Sequence, residues 1–256
     1  MVDSLHGPAD DTFMKGVVLA GGSGTRLFPL TKITNKHLLP VWDKPMIYYP
    51  LECLAKAGIE EVLLVTGGNN AGDFIRLLGR GAEVGIKSLQ YTYQDGSGGI
   101  AQALGLAQDF AAGGPICLIL GDNIIQRNIR EPLRRFRHQG EGARVLLTPV
   151  DHPEQYGVAE IDGDRIVRIV EKPKQPPSNL AVIGIYFYDG HVFDIVRSLR
   201  PSARGELEIT DVNNAYLARG QLTFDVLEGW WADAGENIEY YYQACLRVRA
   251  EGANQD

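Results

Sequence analysis

Residues 15 to 26, Lys-Gly-Val-Val-Leu-Ala-Gly-Gly-Ser-Gly-Thr-Arg, put a cluster of glycines and an arginine directly after an unbroken apolar run. Gly21, Gly22 and Gly24 let the backbone take positive φ and bring its N–H groups close to an anion. Arg26 adds a planar cation whose fork matches phosphate oxygens. The chemistry open to such a segment is phosphate cradling, and a nucleotide is the ligand it suits. It departs from two familiar phosphate motifs. Leu27 stands where G-x-G-x-x-G needs its third glycine, which weakens a dehydrogenase reading, and Arg26-Leu27 is not the Gly-Lys-Ser/Thr of a P-loop. A glycine-rich turn without a ligand is the alternative, and the rest of the chain has to decide.

A second reactive group, Asp122, follows the apolar run Pro115 to Leu120 in Leu120-Gly121-Asp122-Asn123. At the carboxyl end of a strand it lies where open α/β sheets gather ligands; as an isolated residue it reads more readily as a helix cap. His37, alone in a polar loop, reads as a solvated histidine. Cys53, Cys117 and Cys245 match no zinc spacing and read as small core residues in a reducing compartment.

These groups need a scaffold, and the chain supplies one. Val17, Val18, Leu19 and Ala20 lack polar alternation, as a strand covered on both faces does. Helices are expected over 45–57, 71–78 and 100–110, with strands at 61–65, 86–93 and 115–120 between and after them. That alternation specifies an α/β fold with a mostly parallel sheet and helices on both faces. From Ala143 the pattern changes to a strand ending at Val150 and a hairpin, Gly157 to Ile161 and Arg165 to Glu171, turning at Asp162-Gly163, so the sheet becomes mixed. A strand at 181–188, helices at 191–198 and 210–219 and a strand at 222–227 follow. The last helix, 237–250, carries Ile238, Tyr241, Cys245 and Val248 on one stripe and reads as a packing face.

With 256 residues, 45% of them hydrophobic, the chain has ample material for a core. A formal charge of −7 and a pI near 5.3, with no basic run, argue against nucleic acid or a membrane surface as the partner. The N-terminus carries Asp3, Asp10 and Asp11 in place of a secretory leader, so a cytoplasmic location is expected. Residues 1–13 read as a poorly ordered extension or a leftover of cloning, and residues 251–256 as a polar, frayed tail.

Several motifs in one order carry more than any alone. Leu19 to Leu27, Lys36 with Leu39-Pro40, Asp43 to Leu51, Leu120-Gly121-Asp122-Asn123, Tyr156-Gly157-Val158, Glu171-Lys172-Pro173 and Pro201 through Gly205-Glu206 to Asp211 together resemble the sugar-1-phosphate nucleotidylyltransferases, and within them the thymidine-using branch. The likeness runs from Met14 to about Asn237. It implies a Rossmann-like fold of the nucleotide-diphospho-sugar transferase type. It also implies one domain over 14–250, with a nucleotide-binding part at about 14–140 and a sugar-binding part at about 141–236.

The resemblance implies that a sugar 1-phosphate, glucose 1-phosphate in this branch, attacks the α-phosphorus of dTTP or UTP and releases pyrophosphate. Such chemistry needs positioning and charge neutralisation and no covalent intermediate. Arg26, Lys36 and Lys172 match the family's catalytic cations. Leu19, Gly21, Gly22, Ser23, Gly24, Thr25, Arg26, Gln94, Gly99 and Asp122 match its nucleotide site. Asn123, Tyr156, Gly157, Glu171, Lys172 and Val182 match its sugar-phosphate site. Asp122 and Asp233 match its Mg²⁺ ligands, a hard oxygen pair of the kind Mg²⁺ takes. Around Asp233, Ala234 and Glu236 depart from the usual Thr-Gly-Thr, so a supporting hydroxyl is expected to be missing and a carboxylate added. A homo-oligomer is the implied assembly. Longer members of the branch carry a further helical segment that helps to build a second nucleotide site; here an end product is expected to inhibit only by competing at the Gly21 to Arg26 loop. A UTP- or CTP-using enzyme of the same fold stays open, as does a non-catalytic sugar-nucleotide-binding protein.

Overall fold

The computed structural model describes residues 14–256; the reading of residues 1–13 lies outside the described residues. The first half contains β1 (Lys15–Ala20), β2 (Pro40–Val41), β3 (Lys44–Pro45), α1 (Tyr48–Lys56), β4 (Glu61–Gly67), α2 (Ala71–Leu78), β5 (Ser88–Gln94), α3 (Ile100–Gly105), α4 (Gln108–Ala111), β6 (Ile116–Leu120), β7 (Asn123–Ile125) and α5 (Arg130–Gln139). The second contains β8 (Ala143–Pro149), β9 (Gly157–Asp162), β10 (Arg165–Glu171), β11 (Leu180–Tyr188), α6 (Val192–Ser198), α7 (Ile209–Ala218), β12 (Leu222–Val226), β13 (Trp231–Asp233) and α8 (Ile238–Glu251).

Among the described residues the main sheet has nine strands. β5, β4, β1 and β6 run parallel side by side, β11 lies antiparallel beside β6, and β11 in turn pairs with β8 and β9. β10 returns against β9, and β12 lies parallel to β8. Only β10 and β11 oppose the common direction, so the sheet is mixed and mostly parallel, as the sequence pattern implies.

Its two faces are read directly from alternate residues of β1. Val17 and Leu19 join a core with α3, α6 and α7, while Val18 and Ala20 join one with α1, α2 and α5. Burial on both faces explains why no polar residue interrupts the strand. A third, smaller core of Val41, Met46, Tyr49, Ile124, Ala234, Ala244 and Val248 seats α8 beside the sheet.

Four expectations need correction. The helix expected over 100–110 is two, because the chain breaks after Gly105; a Cβ there would stand 3.2 Å from Val196 Cγ1, so the glycine lets α6 approach at the cost of helix propensity. The helix expected from Pro45 starts at Tyr48, since Lys44–Pro45 pairs with Pro40–Val41. On α8 the buried residues are Ala244 and Val248, flanked by Tyr241 and Cys245, whereas Ile238 is exposed at the first turn, outside the small core. Cys245 is correspondingly only half-buried. Finally, residues 251–256 are docked rather than frayed. Asn254 is buried, its N–H donates to Ile125 O (2.9 Å), its side chain donates to Tyr49 O (2.9 Å), and Asp256 pairs with Arg130 at 2.6 Å. No helix among the described residues is long and apolar enough to cross a membrane.

Candidate active site

Parallel strands that end together put their following loops together, and the residues expected to hold phosphate meet this way. β1 runs into Gly21, β4 ends at Gly67, and β6 leads to Gly121, whose N–H donates to Leu19 O at 2.8 Å. Gly22 and Gly24 have φ of 93° and 63°, values that favour glycine. The turn is pinned by Thr31 Oγ1 donating to Gly24 O at 2.6 Å, and it presents Ser23, Thr25 and Arg26 at the surface of the cleft.

Lys36 starts a short turn capped by Asn35. The Asn35 amide donates to Ala20 O (3.1 Å), and its Oδ1 accepts from the His37 N–H (3.0 Å). That turn buries His37 between the ends of β1 and β6, with Nδ1 2.7 Å from Asn35 Oδ1, and a Cβ on Gly121 would collide with the imidazole ring. Burial and the adjacent Lys36 push its pKa down to about 3, so His37 is a neutral structural wedge. The expectation of a solvated histidine is wrong, because the asparagine cap folds the loop inward.

Lys36 pairs directly with Asp122, each side chain only 11% exposed. Burial opposes the charge of Asp122, but Lys36 offsets it and holds the carboxyl below its ordinary range. Asp122 caps no helix; it precedes β7. Antiparallel pairing of β7 with β13 sets Asp233 opposite Asn123 and so beside Asp122. Burial and the Asp122 charge push Asp233 above the ordinary carboxylate range. A Cβ on Gly235 would overlap both Asp122 Oδ2 and Lys36 Nζ, so this backbone can close on the pair only as glycine. Ala234 is fully buried, packed in the small core with Val41, Met46 and Val248.

Gln94 lies at the end of β5 against Gly21. Its Nε2 donates to Gly99 O (3.2 Å) and Gln102 Oε1 (2.8 Å), which fixes the amide orientation and leaves Oε1 toward Gly21. Gly99 is glycine for a packing reason, since a Cβ would stand 2.6 Å from Leu207 O. The loop carrying Gly99 thereby rests on the segment before α7.

The residues expected to hold the sugar phosphate, Asn123, Tyr156, Gly157, Glu171, Lys172 and Val182, line one cavity of about 290 Å³ together with Arg26 and Asp233. Pairing of β9 with β10 sets Gly157 opposite Glu171. Glu171 accepts from Thr210 Oγ1 at 2.5 Å and lies 3.4 Å from Arg204. Lys172 takes φ of 42°, unusual for a side-chain-bearing residue, with its N–H on Tyr156 O at 2.9 Å. Tyr156 meets Trp231 edge-on at 5.4 Å. Sequence reasoning assigned no role to Arg204, Thr210, Asn213, Tyr186, Trp231 or Glu236, which share this cavity. Arg204 and Thr210 lie inside a motif already singled out, which was the available signal; Tyr186 and Asn213 look like ordinary core residues in sequence.

The chain matches the Nucleotidyl transferase family over residues 15–250. It is 49% identical over 228 residues to the glucose-1-phosphate thymidylyltransferase of Xanthomonas campestris pv. campestris (strain B100), covering 88% of this chain and 77% of that one. It is 43% identical over 252 residues to the same-named protein of Neisseria meningitidis serogroup A, with 91% and 87% covered. A Bacillus anthracis crystal structure assigned as a glucose-1-phosphate thymidylyltransferase, in complex with a sucrose, superposes with a TM-score of 0.89 at 51% identity, covering 93% of this chain and 96% of that one. A UDP-glucose pyrophosphorylase complexed with UDP-glucose gives 0.81 at 26% identity, covering 93% and 98%. The chain therefore belongs to the nucleotidyl transferase family and is an enzyme of that class with its Rossmann-like fold. The members it is compared with at 43–49% identity across most of its length are glucose-1-phosphate thymidylyltransferases.

Proposed function

We propose that this enzyme joins dTTP to glucose 1-phosphate, giving dTDP-glucose and pyrophosphate. The observation that carries the reading is the meeting, at one sheet edge, of a phosphate-type glycine loop, two cations and two carboxylates with an adjoining polar cavity of sugar size. A phosphate oxygen of the sugar phosphate forms a bond to the α-phosphorus while the bond from that phosphorus to the bridging oxygen breaks, and pyrophosphate leaves with that electron pair. In this reading residues 14–140 hold the nucleotide and 141–236 the sugar.

Loop N–H groups from Gly21 to Thr25, with Arg26 and Lys36, neutralise the triphosphate, and Lys172 holds the sugar phosphate against it. Gln94 offers Oε1 as an acceptor because its amide nitrogen is already engaged. An acceptor suits the N3–H of thymine or uracil and repels the N3 lone pair of cytosine, which favours dTTP or UTP over CTP. Glu171 and Asn123 hydrogen-bond the sugar hydroxyls, while Tyr156, Gly157 and Val182 shape the floor.

Asp122 and Asp233 fit a magnesium ion: they are adjacent carboxylates whose mutual repulsion a cation relieves, and Mg²⁺ accepts few protein ligands when phosphates and water complete its shell. No larger group of His, Cys, Asp or Glu capable of holding a metal occurs among the described residues. When bound, Mg²⁺ supplies charge neutralisation at the phosphates. The test is pyrophosphate release by purified protein with Mg²⁺, dTTP and glucose 1-phosphate. Turnover that reverses with added pyrophosphate is expected; no turnover with any pyrimidine triphosphate and hexose 1-phosphate would overturn the reading in favour of a binding protein.

A further inference from the structure

Arg26 and Glu236, 210 residues apart in sequence, form an ion pair across the mouth of the cleft through Nη1 and Oε2. They differ in how firmly they are held. The Glu236 side chain is 17% exposed and that of Arg26 is 52% exposed. Glu236 sits on the tight connection between β13 and α8; the next residue, Asn237, caps α8 by accepting the Tyr240 N–H at 3.0 Å. Arg26 extends from the turn that follows Gly24. The carboxylate is thus fixed to rigid elements, and the guanidinium is the partner with reach. Both residues line the cavity.

A carboxylate and a phosphate compete for the same guanidinium edge, because both accept from its N–H groups in the same geometry. Glu236 also stands near Asp233, in a neighbourhood where Arg26 and Lys36 are the cations that offset negative charge. Resting on the nucleotide reading of the Gly21 to Arg26 loop, we propose that Glu236 is an internal counter-ion for Arg26: a nucleoside triphosphate binds by exchange against its carboxylate. Glu236 then sets how tightly the enzyme holds nucleotide, acting through Arg26 and touching no reacting atom.

Titration calorimetry of dTTP, with Mg²⁺ throughout, tests this on the wild type, Glu236→Gln, Arg26→Gln and the double variant. Loss of the counter-ion is expected to lower Kd about two- to fivefold in Glu236→Gln, the range for a partly exposed charge pair, and to change nothing once Arg26 is Gln. Glu236→Thr is expected to act alike, and serves if Glu236→Gln melts early. An unchanged or raised Kd in both Glu236 variants would overturn the exchange while leaving the nucleotide site intact. An equal gain in the Arg26→Gln background would overturn it as well, by showing a diffuse charge effect. A wild type that binds no dTTP would overturn the nucleotide reading itself and the exchange with it.

Discussion

On the proposed phosphate wall, Lys36 and Asp122 pair one to one with 11% of each side chain exposed; on the proposed sugar wall, Arg204, 44% exposed, spreads over Glu171, Glu206 and Glu208 at 2.7 to 3.7 Å. The contrast follows from the elements. The phosphate wall hangs from the ends of parallel strands, where covered backbone leaves little water: Asp122 keeps its charge through Lys36, and Asp233, without a cation of its own, is pushed toward its neutral form. The sugar wall stands on the antiparallel hairpin and the segment before α7, where solvent screens the charges and several carboxylates can share one cation. Substitutions at the buried pair on the first wall should therefore disturb both stability and chemistry, whereas those at exposed charges on either wall should act mainly on binding or turnover.

Lys36→Met gives the largest effect. It leaves Asp122 beside Asp233 with no dedicated cation, and breaking a buried pair costs about 3 to 5 kcal/mol. Chemical denaturation should show a loss of that order together with collapse of turnover; a fully stable variant would mean that the two walls do not differ. Arg26→Ala comes next. Its side chain is half exposed, so stability should hold while kcat falls roughly 10² to 10³, about 3 to 4 kcal/mol, as for removal of one preorganised electrostatic stabiliser. A change confined to KM would reduce Arg26 to substrate binding.

Asp233→Asn runs the other way on stability. A folded-state carboxyl held above its ordinary range binds more protons than in the unfolded chain, so its contribution to stability is full at low pH and is lost as pH rises from the ordinary carboxylate range toward neutrality. Without metal, the variant should be more stable than the wild type by at least about 1 kcal/mol at neutral pH, with the gap closing on acidification. Turnover should be lost. Thermal melts across pH, in chelator and then with Mg²⁺, measure both; a gap that widens on acidification would show that Asp233 is not held high.

The scaffold of both walls is largely legible in the sequence, and their meeting is not. The apolar run 17–20, the helix–strand alternation and the Asp162-Gly163 hairpin follow from local pattern, because period and turn chemistry are local properties. That Asp233 lies beside Asp122 depends on pairing between two three-residue strands, too short for any periodicity to register; only the family resemblance reached it. His37 and the docked tail fail for a related reason. Polar residues read as solvated unless a distant partner is known, and the partners of Asn254 are Tyr49 and Ile125. Glu236 was visible as an added carboxylate, but its pairing with Arg26 is purely tertiary.

The smallest expected effect belongs to the sugar wall. Thr210 Oγ1 donates to Glu171 Oε2 at 2.5 Å, while Arg204 approaches the other oxygen at 3.4 Å. Gly157 leaves room for this bond, since a Cβ there would come within 3.0 Å of the hydroxyl. Thr210→Val keeps the shape of the buried side chain and removes only the donor. Glu171 remains partly exposed and keeps Arg204, so the loss is of a hydrogen bond and leaves no stranded charge, worth about 1 kcal/mol. Where the bond sets the position of the carboxylate, that corresponds to about a fivefold rise in KM for glucose 1-phosphate, with kcat and the KM for dTTP nearly unchanged and the melting temperature lowered by roughly 2 to 4 °C. Thr210→Ser, which restores the hydroxyl, should recover most of the difference. A fall in kcat or stability as large as that expected for Lys36→Met would show that the sugar wall is built on dedicated pairs after all. In that case the shared arrangement around Arg204 would not buffer the loss of a single contact.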